Sequence, residues 1–166
     1  MVPMVGTAAE AEAIVRAMKY FPRGERGVAL GIAHDNFVAR PAANAMADAN
    51  DRTTLFCLIE TAEGVDNVDA IAAVDGVDCL WIGHFDLSQS LGIPGQFDHP
   101  EFLAAVDKVV AAGKRHNKAL GRLVSKVDDG IRLFAQGFDF CCYSGDVWVL
   151  RDALGAALGN LREGCK

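Results

Sequence analysis

Short, mostly apolar runs alternate along the chain with longer segments in which apolar side chains recur every three or four positions, the pattern of strands and helices in turn. "MVPMV" reads as a strand, and Thr7 with Glu10 three residues on forms a capping-box pattern opening a helix over "AAEAEAIVRAMKY". "FPRGERGVALGIAHDNF" predicts a long surface loop and "VARPAANAMADAND" a helix. The strand "TTLFCLIE", a helix over "AEGVDNVDAIAAV" and the strand "VDCLWIG" follow. The loop "GIPGQFDHP" offers Asp98 as an N-cap, with Pro100 and Glu101 suited to the first turn of the helix "EFLAAVDKVVAAGKRH". The strand "ALGRLV" comes next, and Ser125 with Asp128 repeats the capping-box pattern before "KVDDGIRLFAQ", a helix closed by Gly137. The strand "FDFCCY" and a helix over "VWVLRDALGAALGNLRE" complete the chain.

About five strands result, most followed by a helix, and runs such as "LFCLI" are apolar on both faces, as parallel strands covered by helices should be. The class is α/β, and with no linker or low-complexity segment the expectation is one domain over residues 1–166. At 166 residues and 51% hydrophobic content the chain can bury a core. A formal net charge of −6, with Lys114, Arg115 and Lys118 merely scattered, excludes a nucleic-acid surface and leaves room for small anionic substrates if a metal offsets the charge. "MVPMVGTAAEAEAIV" lacks a basic signal-peptide n-region and no stretch is apolar enough to span a bilayer, so a cytoplasmic protein without membrane partners is expected. Of five cysteines, Cys57, Cys79, Cys141 and Cys142 sit in apolar runs and read as reduced, buried hydrophobes; Cys165 reads as a tail thiol.

In parallel α/β folds ligand chemistry collects at the carboxyl ends of the strands, because each strand delivers its following loop to the same rim. Here those ends carry Glu60, Asp86, Ser125 and the triplet Ser144, Gly145, Asp146. Glu60 follows its apolar strand directly, and Asp86 comes just after the turn at Gly83. Two such carboxylates on neighbouring strands suit a divalent cation held through oxygen, with positions left for water and substrate. Simpler roles stand beside this one: Asp86 capping a short helix, and Glu60 satisfied by amides at the start of its own helix. His84 is a base, a ligand or a partly buried loop histidine. His34, His99 and His116 read as loop or helix-surface residues, the Ser144–Asp146 triplet as an N-cap turn, and Trp81 and Trp148 as core or interface.

"CLIETAEGVDNVDAI", "GVDCLWIGHFDLSQSLG", "GIPGQFDHPEFLAAV" and the opening "VPMVGTAAEAEAIVRAMKYFPRGERG" resemble, in order and over nearly the whole chain, the HpcH/HpaI family of class II pyruvate aldolases. The family includes 4-hydroxy-2-oxoheptanedioate and 2-dehydro-3-deoxyglucarate aldolases. The resemblance implies a parallel (β/α)8 TIM barrel, a divalent metal (Mg²⁺ or Mn²⁺, with Co²⁺ an alternative), and cleavage of 4-hydroxy-2-oxo acids to pyruvate and an aldehyde. Matched residue by residue, the glutamate of the I-E-T motif is Glu60 and the aspartate of the D-L-S motif is Asp86, which makes these two the implied metal ligands. Gly83, Phe85 and Asp86 are the implied substrate-binding residues, through backbone amides facing the substrate carboxylate.

The sequence also departs from the family. The D-G-E-H segment, whose histidine takes part in proton transfer, and the arginine that grips the keto acid have no counterpart here. Leu58 stands where family members often carry a glutamine, and His84 replaces the proline common after I-G, which makes His84 the one nearby candidate for proton transfer. No residue of this chain is assigned with assurance as catalytic. The chain corresponds to the last five βα units of the barrel, an incomplete domain expected to form homo-oligomers and to be weak or inactive alone. The contrasting expectation is a non-catalytic remnant or interaction module that keeps the metal site and lacks the base.

Overall fold

The computed structural model describes residues 1–165. It falls into two compact units, Met1–Leu120 and a second from Gly121 onward. The first holds α1 (Ala8–Met18), a 3₁₀ turn (Ala33–Asp35), α2 (Ala42–Arg52), β1 (Phe56–Ile59), α3 (Ala62–Asp66), α4 (Val68–Ala73), β2 (Cys79–Ile82), α5 (His84–Ser90), α6 (Pro100–Arg115) and the start of β3 (Ala119–Val124). The second holds the rest of β3, α7 (Val127–Gln136), β4 (Phe140–Tyr143) and α8 (Asp146–Gly164). β1 pairs with β2 and β3 with β4, both in parallel, in a four-stranded sheet of order β1-β2-β3-β4. The α/β parallel class read from the sequence is the one found.

In the first unit the register runs from Phe56↔Cys79 to Ile59↔Ile82. Side chains alternate across a strand, so Cys57, Ile59, Leu80 and Ile82 share one face, and all four are fully buried. Ile71 of α4, Phe102 and Val109 of α6 and Leu120 complete this core. The capping box of α1 forms as predicted: Thr7 Oγ1 accepts the Glu10 N–H at 3.2 Å and Glu10 Oε2 accepts the Thr7 N–H at 3.0 Å. The backbone N–H groups of Gly6 and Thr7 donate to this carboxylate and hold the Glu10 pKa below its ordinary value.

Asn50, almost fully buried, ties α2 to the end of α1. Its Oδ1 accepts the Tyr20 N–H at 2.6 Å and its Nδ2 donates to Tyr20 O at 2.9 Å. The buried Lys19 ammonium donates to the Asn50 and Thr53 carbonyls, both at 2.6 Å. Asn50→Ala leaves the buried Tyr20 N–H unsatisfied, while the Tyr20 carbonyl still accepts from the Arg23 and Gly24 N–H groups, and urea denaturation is expected to register a loss of about 1–3 kcal/mol.

Several elements differ from the sequence reading. "MVPMV" is no strand but a single parallel bridge, Val2↔Cys57, because Pro3 has no N–H and Met4 turns to φ 58°. It still covers β1: Val2 donates to Phe56 O at 2.9 Å, Leu58 to Val2 O at 3.0 Å and Val5 to Leu58 O at 3.2 Å. The helix over "AEGVDNVDAIAAV" breaks at Asn67, whose φ −95° and ψ 2° leave the helical range while its Nδ2 donates to Gly6 O at 2.8 Å. His99, and not Asp98, caps α6 by accepting the Glu101 N–H on Nδ1 at 3.3 Å. Helix α7 starts with Lys126 at the cap position and no side-chain bond, so the Ser125/Asp128 box does not form. The long loop contains one 3₁₀ turn, and the short helix after Gly83, α5, begins at His84 with Gly83 and not Asp86 at its cap.

In the second unit β3 and β4 run in register from Gly121↔Phe140 to Val124↔Tyr143. Gly137 closes α7 as predicted, in the left-handed region at φ 95°. Gly130 brings α7 close to the strands: a Cβ there would meet Cys141 Sγ and Val124 Cγ2, each at 3.6 Å. Burial lowers the pKa of the Arg122 guanidinium on β3, opposed by the charge of Asp129.

Cys57 and Cys79 are buried as expected, but Cys141 is half-buried and Cys142 exposed, since β4 presents its last two residues to solvent. Burial pushes the Cys57 thiol from its ordinary 9.0 up to about 11. Its folded pKa lies above the unfolded one, so the associated stability is intact below pH 9 and is lost as pH rises from 9 through about 11. Alkylation of the folded chain at pH 8 is expected to label Cys142 and Cys165 and to spare Cys57 until the chain unfolds. Peptide mapping by mass spectrometry reads the result directly.

Candidate active site

Ile59 and Ile82, the last residues of β1 and β2, stand side by side, and the Gly83 N–H continues the ladder by donating to Ile59 O at 3.3 Å. The next residue on each strand, Glu60 and Gly83, therefore falls at the same level of the rim. Glu60 continues the alternation of Phe56 and Leu58, on the face away from Cys57 and Ile59. Although ionisable, it is only 5% exposed. Its Oε1 accepts the Met4 N–H at 2.7 Å, which pins the carboxylate over the end of β1.

The space it occupies exists because residue 83 is glycine. A Cβ there would stand 2.7 Å from Glu60 Cβ and 3.2 Å from Cδ, and nearer still to Oε2. Gly83 has φ −83°, so space and not backbone freedom is what the position demands. It also occupies the N-cap of α5 without offering a side chain to the first-turn amides.

Both simpler roles for the carboxylates have an answer in this geometry. Glu60 does not serve its own helix: Thr61 caps α3, its Oγ1 accepting the Gly64 N–H at 2.9 Å, while Glu60 takes an amide 56 residues away. Asp86 lies in the first turn of α5, exposed, with Gly83 holding the cap position. A carboxylate there favours the positive end of the helix and also stands on the rim beside Glu60's strand. His84, half-buried, opens α5, and Phe85 follows it with an exposed ring.

The other candidates lie elsewhere. Gly145 is the N-cap of α8 and Asp146 Oδ1 accepts the Val147 N–H at 2.8 Å, so the Ser144–Asp146 triplet is the N-cap turn of that helix. His34 pairs with Asp35, His99 caps α6, and His116 pairs with Asp69. The hydrogen bonds from His116 and Arg115 keep the Asp69 pKa low. Trp81 belongs to the core, whereas Trp148 is about half exposed and lies against Gly145. Sequence reasoning missed the Met4 amide, a contact no local pattern announces. It also missed an aromatic cluster of His84, Phe85, Phe97 and Phe102, drawn from α5, the loop after it and the start of α6.

A carboxylate buried where parallel strands end, with a second one in the first turn of the helix that follows the adjoining strand, defines an α/β protein of the kind that works from its strand rim. The chain belongs to the HpcH/HpaI aldolase/citrate lyase family, which matches residues 1–153. A hydroxypyruvate/pyruvate aldolase of Chromohalobacter salexigens is 39% identical over 155 residues, covering 92% of this chain and 60% of that protein. A 5-keto-4-deoxy-D-glucarate aldolase of Shigella boydii is 36% identical over 153 residues, covering 92% and 59%. Among solved structures, the HpcH/HpaI aldolase from Desulfitobacterium hafniense DCB-2 matches with a TM-score of 0.91 at 32% identity, over 98% of this chain and 63% of that one. The chain thus spans about three fifths of these relatives. Among the described residues no helix is long and apolar enough to cross a membrane.

Proposed function

We propose that this chain forms the metal- and oxo-acid-binding part of a class II aldolase that cleaves 4-hydroxy-2-oxo acids to pyruvate and an aldehyde. The observation that carries the reading is Glu60: a buried carboxylate, fixed by a remote amide, in a space that only a glycine at position 83 leaves open. Membership of an aldolase family supports it. Glu60 and Asp86 are the proposed metal ligands. All their donor atoms are hard oxygens, the set that suits Mg²⁺ or Mn²⁺, with Co²⁺ next. Two protein carboxylates would leave coordination positions for a chelating oxo acid and water.

When bound, such a cation supplies Lewis-acid stabilisation of the negative charge that develops as the C3–C4 bond breaks. The chain's own residues would do the rest. With the Gly83 N–H committed to Ile59 O, the first-turn amides of Phe85 and Asp86 beside it would receive the substrate carboxylate, and Asp86 and Glu60 would fix the orientation of the bound acid. His84 is the one histidine of this rim and the proposed proton carrier for the 4-hydroxyl.

Because general acid–base catalysis contributes about 10²- to 10⁴-fold, the chain alone is expected to be a weak aldolase whose residual activity depends on His84. Pyruvate release from a 4-hydroxy-2-oxo acid in the presence of Mn²⁺ tests this for the chain and for His84→Ala. Mn²⁺ and pyruvate binding without any release would favour the non-catalytic alternative. Activity untouched by His84→Ala would place the proton carrier elsewhere.

The assembly is proposed to be a homo-oligomer. In the second unit, Val127, Ile131 and Phe134 of α7 and Val147, Trp148, Leu150, Leu154, Leu158 and Leu161 of α8 are exposed, more apolar surface than single copies ordinarily carry. Light scattering behind size exclusion is expected to give a multiple of 17.7 kDa; a stable species of that mass at all concentrations would contradict it.

A further inference from the structure

Ser90, the last residue of α5, has no role in the site described above, yet its hydroxyl reaches outside its own helix: Oγ accepts the Ala62 N–H at 2.9 Å. Ala62 opens α3, two residues after Glu60. Its N–H is one of the first-turn amides that a helix cannot satisfy internally, and the Thr61 cap serves a different one, the Gly64 N–H. A residue 28 positions away supplies the missing acceptor.

The place of Ser90 on its helix gives that bond a consequence. The Leu87 N–H donates to Gly83 O at 2.9 Å and the Leu91 N–H to Leu87 O at 3.0 Å, so α5 is regular from its cap onward. At about 100° per residue, Gly83, Asp86 and Ser90 fall within one arc of roughly 60°, with Asp86 about one turn before Ser90. Both ends of this stripe are fastened to the same short segment. Gly83 is held by its bond to Ile59 O at 3.3 Å and by its close approach to Glu60, and Ser90 by its bond to Ala62. Asp86 lies between the two fastenings, so the stripe that carries it runs along residues 59–62, beside Glu60.

Neither side of this clasp is loose. On α3 a Cβ at Gly64 would stand 2.8 Å from Val5 O, so the helix start is pressed onto the segment before α1, and Asn67 Nδ2 donates to Gly6 O at 2.8 Å. On α5, Leu87 and Ser88 are fully buried, and the Ser88 hydroxyl donates to Phe85 O at 2.7 Å while accepting the Gly95 N–H at 3.0 Å. These contacts hold the buried flank of α5 and keep it folded without Ser90. The Ser90 bond fastens its C-terminal end to the segment bearing Glu60.

We infer that Ser90 is a positioning residue for the cation: by fixing the rotation of α5 against residues 59–62, it sets the separation of the Asp86 and Glu60 carboxylates. The inference rests on the reading of those two carboxylates proposed above. Because the clasp acts through a separation, it acts on cation size. Mg²⁺ demands oxygens at about 2.0–2.1 Å in near-ideal geometry, whereas Ca²⁺ accepts about 2.3–2.6 Å and irregular arrangements. Releasing α5 therefore penalises the smaller, stricter ion more.

The test is calorimetric titration of the full chain with Mg²⁺ and, separately, with Ca²⁺, for the parent, Ser90→Ala and Ser90→Thr. Ser90→Ala is expected to lower Mg²⁺ affinity about 10- to 100-fold, as loss of a group that orients a metal ligand does. Ca²⁺ affinity is expected to fall less, so that the ratio of Mg²⁺ to Ca²⁺ affinity drops about tenfold. Ser90→Thr keeps the acceptor oxygen and is expected to restore the parent ratio. A merely structural bond would weaken both ions alike. An unchanged ratio in Ser90→Ala, whether through no loss or an equal loss, or a ratio not restored in Ser90→Thr, would overturn the inference and leave the metal site standing. A parent chain that takes up neither ion would overturn the underlying reading and this one with it.

Discussion

Gly83→Ala is expected to abolish Mn²⁺ binding and to destabilise the fold at the same time. The new Cβ would stand 2.7 Å from Glu60 Cβ, inside any tolerable approach, and both atoms belong to strand ends held in register by the bond from Gly83 N–H to Ile59 O. Neither backbone yields easily, because Ile59 and Ile82 directly before them are fully buried. The carboxylate must therefore leave its seat and give up the Met4 amide. Overpacking of this kind costs about 1–3 kcal/mol. The loss of Mn²⁺ affinity should exceed what that destabilisation explains, because the ligand itself is displaced. A chemical melt and a calorimetric Mn²⁺ titration on the same preparation separate the two effects. Gly83→Ala with unchanged Mn²⁺ affinity would show that the position of Glu60 is irrelevant to the cation.

Asp86→Asn is expected to remove most of the Mn²⁺ binding with little change in stability. Asp86 is exposed in the first turn of α5, so the folded chain loses only a favourable charge near a helix start, about 0.3–1 kcal/mol at low salt and less at moderate salt. The cation would lose one of its two proposed anionic ligands. Even altering a residue that merely orients a metal ligand costs about 10- to 100-fold in affinity, so loss of a ligand's charge should cost at least as much. Glu60→Gln should weaken Mn²⁺ binding similarly, while a glutamine oxygen still accepts the Met4 N–H and keeps the local fold. An Asp86→Asn variant that binds like the parent would mean that the two carboxylates do not share a cation.

What the sequence disclosed and what it hid divide along the range of the interactions. The Thr7–Glu10 box and the Gly137 cap were legible because each signal and its partner lie within a few residues. β1 and β2 were legible because a doubly covered parallel strand must be apolar throughout, so their carboxyl ends, and with them Glu60, could be located. The same short-range pattern misled at Ser125 and Asp128, where the helix begins with Lys126 at its cap, one residue after the serine. Remote partners were invisible: Asn67 breaks a helix to reach Gly6, and Met4 offers its amide to Glu60 from a segment that reads as strand. The solvent face of β4 was hidden too, since "FCCY" is as apolar as β1, yet Cys142 and Tyr143 are exposed. The glycine at 83 read as a turn residue, when its role is to leave room for a carboxylate from the neighbouring strand.

The central claim is that Glu60 and Asp86 hold a divalent cation which in turn holds a 2-oxo acid. It is tested most directly by titrating the chain with Mn²⁺ calorimetrically, in the absence and in the presence of saturating pyruvate. The account predicts one Mn²⁺ per chain, tightened by pyruvate and lost in both Glu60→Gln and Asp86→Asn. No Mn²⁺ binding, or binding that neither pyruvate nor the two substitutions alter, would contradict it.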